Sequence, residues 1–247
     1  MTRHTASLVL VFLLTACTLQ PSIKSASTSS TSTEVNSIDT SDKFQMQLTD
    51  NQKALRIFKN HQLTQEITLH NIPPFDTDDR GEPSVPQQDY LFHNGTVDQK
   101  NGRLYFTVRN QATAGNVNAT TALFAYNITD KTMKLLDKKE YTNGFGTLEL
   151  SPDGNIIVFS DGSHGGMCEN TLELIVLNLE TNKEVASVGL SPNSVGWIEF
   201  SKWLNNSEFA YTEHIFKNRE DCLKKSEQDP DVTQKTYNIQ SHSLSVL

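Results

Sequence analysis

The chain has 247 residues, of which 36% are hydrophobic and 20% charged, and its formal net charge is -8. Its mean hydropathy is -0.45, and its one short apolar run lies at the N-terminus. This excludes a transmembrane bundle, whose spans need about 20 apolar residues each. Because 29 acidic side chains outnumber 21 basic ones, the chain lacks the basic field that attracts nucleic acid, and no nucleic-acid partner is expected.

Residues 1–16 are predicted to be a signal peptide. Arg3 provides a basic start, and the apolar stretch 6–14 is too short to span a bilayer. The sequence Leu14-Thr15-Ala16-Cys17 that follows resembles the lipobox of bacterial lipoproteins. The resemblance implies cleavage before Cys17, acylation of Cys17 and anchoring in the cell envelope. By resemblance to Gram-negative lipoproteins, in which an Asp after the Cys would favour the inner membrane, Thr18 suggests the outer membrane facing the periplasm. A Gram-positive surface is the alternative.

Residues 17–42 are predicted to be the lipidated cysteine and a disordered tether. Of the 25 residues from Thr18 to Asp42, 13 are Ser or Thr and none is aromatic. Such a composition buries too little apolar surface to offset the entropy cost of ordering. We therefore expect a flexible linker before a folded domain that spans residues 43–247.

The domain is predicted to be all-β. Short alternating, β-branched or aromatic runs lie at 44–48, 104–108, 156–159 and 174–177, and turn-forming dipeptides such as Asn101-Gly102 separate them. No segment shows a sustained helical periodicity. With the further runs near the N-terminus, the strands number about fifteen.

The turns recur at a fixed interval. Gly102, Gly154 and Asn206 lie 52 residues apart, and an apolar strand follows each at the same offset. A period near 50 with four strands per unit is typical of propeller blades. The sequence therefore predicts a small or incomplete β-propeller of about four antiparallel sheets. A closed ring is the economical arrangement, and an open stack or a ring completed by a second chain is the alternative.

One unit carries a recognisable repeat. The segment Ser151-Pro152-Asp153-Gly154-Asn155-Ile156-Ile157-Val158-Phe159-Ser160, followed by the strand ending Val176-Leu177-Asn178-Leu179, resembles the TolB-like propeller repeat. The likeness covers roughly residues 90–211, and the next unit lacks the Pro-Asp-Gly. The resemblance implies the fold alone, because such repeats serve proteins of many functions.

Two cysteines remain after Cys17. Cys168 and Cys222 fall in the equivalent loops of neighbouring units. In an oxidising compartment an even pair predicts a disulfide, which would hold the polar insertion 217–233 in place. Two unrelated thiols are the alternative.

Four polar residues are candidates for a ligand site on one rim. Asp161, His164, Glu213 and His214 follow equivalent strands, and His and carboxylate groups supply metal ligands or protons. Ordinary rim residues are the alternative. The loop 162–166 lacks the G-x-S-x-G motif, and the segment 76–81 departs from a calcium loop at Arg80. We therefore assign no catalytic residue, metal or cofactor.

The aromatic residues Trp197, Phe200 and Trp203 form either a ligand platform or core. Alternation along a strand places Trp197 and Glu199 on one face and Ile198 and Phe200 on the other, which favours core for Phe200.

These features favour a non-enzymatic, lipid-anchored module that binds an envelope protein or cell-wall component through its loops. The alternatives are an envelope hydrolase or metal-dependent enzyme that uses the four rim residues, and a structural protein without a specific ligand.

Overall fold

A computed structural model of the chain describes residues 43–77, 86–110, 120–139, 145–161, 173–191, 193–224 and 229–246. They belong to the compact unit Asp39–Leu247. The predicted signal peptide, Cys17 and the linker lie outside the described residues, as do His164 and Cys168. The described ranges contain no helix with the length and apolar character needed to cross a membrane.

The described residues form fifteen strands in four antiparallel sheets, in which strands adjacent in sequence pair with each other. Sheet I contains β1 (Phe44–Leu48), β2 (Ala54–Lys59) and β3 (Gln62–Thr68). Sheet II contains β4 (Tyr90–Asp98), β5 (Arg103–Asn110), β6 (Thr121–Asn127) and β7 (Thr132–Lys139). Sheet III contains β8 (Phe145–Leu150), β9 (Ile156–Asp161), β10 (Glu173–Asn178) and β11 (Lys183–Val188). Sheet IV contains β12 (Val195–Asn205), β13 (Glu208–Phe216), β14 (Asp231–Asn238) and β15 (Ser243–Val246).

Little helix accompanies the strands. The short helix α1 (Arg219–Leu223) lies between β13 and β14, and two 3-10 turns, Leu69–Asn71 and Gln87–Asp89, lie between sheets I and II. The predicted all-β, small propeller-like fold of about four sheet units is confirmed.

Three equivalent asparagines shape the last turn of sheets II, III and IV. The side-chain oxygens of Asn127, Asn178 and Asn238 each accept hydrogen bonds from the backbone N–H groups two and three residues further on, at 2.9–3.1 Å. Each such turn also hydrogen-bonds to the first turn of the same sheet; the Ile128 N–H donates to the Gly102 carbonyl at 3.0 Å, for example. We call this edge of the sheets the turn end. The opposite edge, where the longer connections lie, is the loop end.

The cores lie between consecutive sheets. Separate clusters of buried side chains join sheets I and II, II and III, and III and IV. Sheet II is covered on both faces: Leu104 and Phe106 face sheet I, whereas Tyr105 faces sheet III. This double burial explains why 104–108 is a nearly continuous apolar run, since a strand with only one buried face alternates. Within the described ranges, no buried cluster joins sheets I and IV.

The Ser-Pro-Asp-Gly sequence forms the turn between β8 and β9. The Ser151 hydroxyl donates to Asp153 at 2.7 Å and accepts from the Ile156 N–H at 3.0 Å. Burial raises the pKa of Asp153, but hydrogen bonds from Ser151 and Asn155 outweigh this effect and lower the pKa below its usual value. Gly154 has a φ of +79°, and a Cβ atom there would lie 3.2 Å from the Asp98 carboxylate of sheet II. The turn thus contacts the neighbouring sheet.

Candidate functional site

The structure places two of the four predicted rim residues back to back. Asp161 ends β9, and Glu213 and His214 are consecutive in β13, whereas His164 lies outside the described residues. Successive side chains of a strand point to opposite faces, so Glu213 and His214 do not face one ligand. In the part of the chain that the structure describes, no group of three or more His, Cys, Asp or Glu residues is arranged to hold a metal ion.

Glu213 is a buried partner in an ion pair. Its side chain is 7% exposed, and both of its carboxylate oxygens lie 2.8 Å from Nζ of Lys235 on β14. Tyr211, on the same face of β13, has a pKa raised to about 12 by burial and by the negative charge of Glu213. Because Lys235 occupies both oxygens, this cluster joins β13 to β14.

His214 stacks on an aromatic residue on the other face of sheet IV. The rings of Trp197 and His214 are 4.5 Å apart and nearly parallel. The Trp197 indole N–H donates to Glu199 at 3.0 Å, and His214 Nε2 lies 3.5 Å from the second Glu199 oxygen. Trp197 and Glu199 therefore share a face, as alternation predicts.

The remaining aromatic residues belong to the core. Phe200 and Trp203 pack against Phe209 between sheets III and IV.

Cys222, 2% exposed, packs near Phe216 and Trp197. Because Cys168 lies outside the described residues, the Cys168–Cys222 disulfide stays a prediction.

Asp76, the first residue of the segment 76–81 that departs from a calcium loop, has a hydrogen-bond partner within the protein. The Asp76 carboxylate accepts a hydrogen bond from Asn110, whose own side-chain oxygen accepts from the Thr120 N–H at 2.7 Å. Residues 78–85 lie outside the described ranges. Burial and the negative charge of Asp76 raise the pKa of Tyr90 to about 12. We expect the Tyr90 hydroxyl to stay neutral at physiological pH.

A cleft of about 620 Å³ opens between sheets II and III at the turn end. Its volume lies within the range of small-molecule sites. Sheet II contributes strands β5, β6 and β7, and sheet III contributes the turns at its own turn end. The lining residues are Asn101, Arg103, Tyr105, Ala125, Asn127, Thr132, Met133, Lys134, Leu136, Gly154, Asn155, Leu179 and Glu180.

The strand register explains the opening. Tyr105, Ala125 and Lys134 form one row across sheet II, so the small Ala125 leaves space between two long side chains. A second row, led by Arg103, lies next to it. The cleft thus has an apolar floor and charged side chains at its border.

The charged groups of the cleft differ in how they are held. Burial raises the pKa of Tyr105, and the neighbouring positive charge of Arg103 partly offsets this rise. Lys134 and, across the cleft, Glu180 are exposed. Among the described residues, neither forms an ion pair. Sequence reasoning missed Arg103 and Lys134, because only the pairing of β5, β6 and β7 brings them together.

Comparisons with known proteins give the fold. No protein-family model matches the chain. No curated protein matches it. It is similar to the structure of a Mycobacterium tuberculosis puromycin-hydrolyzing peptidase, with a TM-score of 0.51 and 12% identity over 82% of this chain and 28% of that one. An oligogalacturonate lyase in complex with manganese has a TM-score of 0.48 and 10% identity, over 82% of this chain and 52% of that one. A functionally unknown protein from Desulfotomaculum acetoxidans has a TM-score of 0.42 and 11% identity, over 83% and 50%.

The chain spans about half or less of the length of these three structures. The similarity to the peptidase structure, whose TM-score is 0.51, is consistent with the TolB-like propeller resemblance. At such low identity it indicates the fold and not the activity.

Proposed function

We propose that the chain is a lipid-anchored protein of the cell envelope that binds an envelope component in the cleft between sheets II and III and does not catalyse its conversion. The anchor rests on the lipobox-like sequence Leu14-Thr15-Ala16-Cys17. Two or three acyl chains on Cys17 hold a protein in a membrane stably, at roughly 0.8 kcal/mol for each buried methylene group. The Ser- and Thr-rich linker then separates the binding domain from the lipid surface.

One observation carries the binding role: the cleft has walls that are fixed before any ligand arrives. The turns that form its border are fixed because the side-chain oxygens of Asn127, Asp153 and Asn178 each accept a hydrogen bond from the backbone N–H two residues further on. A site that is already ordered loses little conformational entropy on binding. Binding is favoured over hydrolysis because the buried Glu213 is occupied by Lys235 and faces away from His214.

The anchor is tested by comparing the full chain with a Cys17→Ala variant. We expect the wild type to sediment with membranes and to have an intact mass that corresponds to cleavage before Cys17 plus acylation. The variant should keep its signal peptide and carry no lipid. An unacylated, uncleaved wild-type chain would refute the lipoprotein assignment.

The binding role is tested by filling the cleft. Ala125→Trp places a large side chain between Tyr105 and Lys134, and Leu204→Trp makes the same kind of change at an exposed position of sheet IV. Because the lipid on Cys17 would bind any membrane, the envelope fractions, cell-wall polymer and envelope protein tested separately, are freed of membrane lipid. We expect one of them to retain the wild type and Leu204→Trp. Retention of Ala125→Trp should be lost, with its circular dichroism spectrum unchanged. Equal retention of both variants would show that the cleft is not the binding site.

A further inference from the structure

The lining of the cleft carries a net positive charge, whereas the chain as a whole is negatively charged. This lining contains two cations, Arg103 and Lys134, and one acid, Glu180, in a chain with a net charge of -8. Resting on the proposed binding function, we infer that the cleft binds an oxyanion, a carboxylate or phosphate, carried on a hydroxyl-rich ligand such as a sugar acid or sugar phosphate.

The two cations are placed for one small anionic ligand. Arg103 lies on β5 and Lys134 on β7, with β6 between them, so their strands are about 10 Å apart. Both side chains are long enough to meet above Ala125. Arg103 lies close to the Tyr105 side chain, and the planar donors of its guanidinium match a carboxylate or phosphate. Lys134 supplies a mobile second charge.

A comparison of the repeated sheets singles out the same residues. In the pairing register, Asn178 of sheet III occupies the position of Asn127 in sheet II, so Ile156 corresponds to Arg103 and Ala186 to Lys134. In sheet III these apolar side chains pack against sheet IV. Sheet II has charged side chains where the repeat needs apolar ones for packing. Such a departure from a local packing rule is characteristic of a functional site.

The rest of the lining suits the neutral part of such a ligand. Ala125, Leu136 and Leu179 provide an apolar surface for the carbon face of a sugar ring. The amide groups of Asn127 and Asn155 are each fixed by one N–H donated to an Asp at 2.9 Å. An amide has two N–H donors, so the second one is available for a hydroxyl oxygen.

The inference is tested with three soluble probes that share a hexose ring: glucuronate, glucose 6-phosphate and glucose. Binding to the purified full chain is followed by the backbone amide NMR signals of Ala125, Lys134 and Gly154 during titration. We expect one or both anions to shift these signals and glucose to leave them in place. Glucuronate and glucose 6-phosphate distinguish a carboxylate from a phosphate ligand.

Two variants are expected to change the affinity in opposite directions. Lys134→Met removes one charge-assisted contact and should weaken binding of the anion about tenfold. Glu180→Gln removes a nearby repulsive charge and should strengthen binding about threefold at low salt. Lys202→Met, at an exposed position of sheet IV, makes the same charge change away from the cleft and should leave the affinity unchanged.

Three results would overturn the inference. The first is that glucose binds as tightly as the anions. The second is that none of the three probes shifts the cleft signals. The third is that Lys134→Met and Lys202→Met weaken binding equally. Each result leaves the proposed binding function intact if filling the cleft with Ala125→Trp still abolishes retention by an envelope fraction. If Ala125→Trp is retained normally, the proposed function fails as well.

Discussion

The structure predicts that an added side chain at Gly154 lowers the free energy of unfolding. The Gly154 φ of +79° is a conformation that other residues rarely adopt, and a Cβ atom there would lie 3.2 and 3.3 Å from the two oxygens of Asp98. Asp98 is 3% exposed and accepts hydrogen bonds from the backbone of Lys100 and Asn101. It has little room to move, so we expect Gly154→Ala to destabilise the fold.

The matched control is Gly102→Ala at the equivalent turn of sheet II. Gly102 has a φ of +59°, but no atom lies within 4 Å of the Cβ position. A positive φ costs an alanine about 1–2 kcal/mol, partly offset by about 0.4–1 kcal/mol of reduced freedom in the unfolded chain. Gly102→Ala should therefore lower the free energy of unfolding by about 1 kcal/mol. Gly154→Ala should lose about 2–3 kcal/mol, because displacing Asp98 also weakens hydrogen bonds worth about 1 kcal/mol each.

The measurement is urea denaturation of the wild type and both variants, followed by far-ultraviolet circular dichroism. The difference between the two variants isolates the contact with Asp98, since the backbone contribution is common to both. Equal losses for Gly154→Ala and Gly102→Ala would refute the argument that the turn of sheet III is held tightly against sheet II. A Gly154→Ala variant as stable as the wild type would refute the backbone argument too.

Four further results are expected in the same denaturation assay. Lys235→Met leaves the buried Glu213 carboxylate unpaired and should cost about 2–3 kcal/mol, whereas adding Glu213→Gln should recover most of it. Burial raises the pKa of Glu149, so the charged form of its carboxyl opposes folding. Glu149→Gln should therefore stabilise the protein by less than about 1 kcal/mol at pH 7. This gain should vanish below about pH 4, because the carboxyl is then protonated in both the folded and the unfolded chain. Reduction should destabilise the wild type by about 4 kcal/mol if Cys168 and Cys222 are bridged, and an unchanged stability would exclude the bridge. Replacing Arg103 and Lys134 with the sheet III residues, Ile and Ala, should raise stability by about 1 kcal/mol and abolish anion binding, whereas retained binding would contradict the assignment of these residues.

The turns explain why the sheet architecture is predictable from the sequence. Gly102 and Gly154 have positive φ values at the two predicted turn positions. The third unit lacks the Pro-Asp-Gly, yet its turn forms because the Asn205 side-chain oxygen accepts a hydrogen bond from the Ser207 N–H at 2.9 Å. Asparagine closes this turn through its side chain, so the 52-residue spacing survives a change of residue type.

The cleft is not predictable in the same way. Arg103 and Lys134 lie 31 positions apart, and each has the sequence context of an ordinary surface cation. They come together only through the register of two successive strand pairs, β5 with β6 and β6 with β7. A shift of one residue would turn Lys134 to the other face of sheet II. By contrast, the opposite orientations of Glu213 and His214 follow from strand alternation alone.

The turn between β8 and β9 contributes both to stability and to the cleft. Gly154 contacts Asp98 of sheet II, and Gly154 and Asn155 also line the cleft. The tight contact at Gly154 brings the two sheets together, whereas the charged side chains of Arg103 and Lys134, in two adjacent rows of sheet II, keep the adjoining part of the interface open. A ligand that enters the cleft therefore adds contacts between sheets II and III, and by mass action it stabilises the folded chain in proportion to its occupancy. The cleft owes its fixed shape to the same hydrogen-bonded turn that joins the sheets.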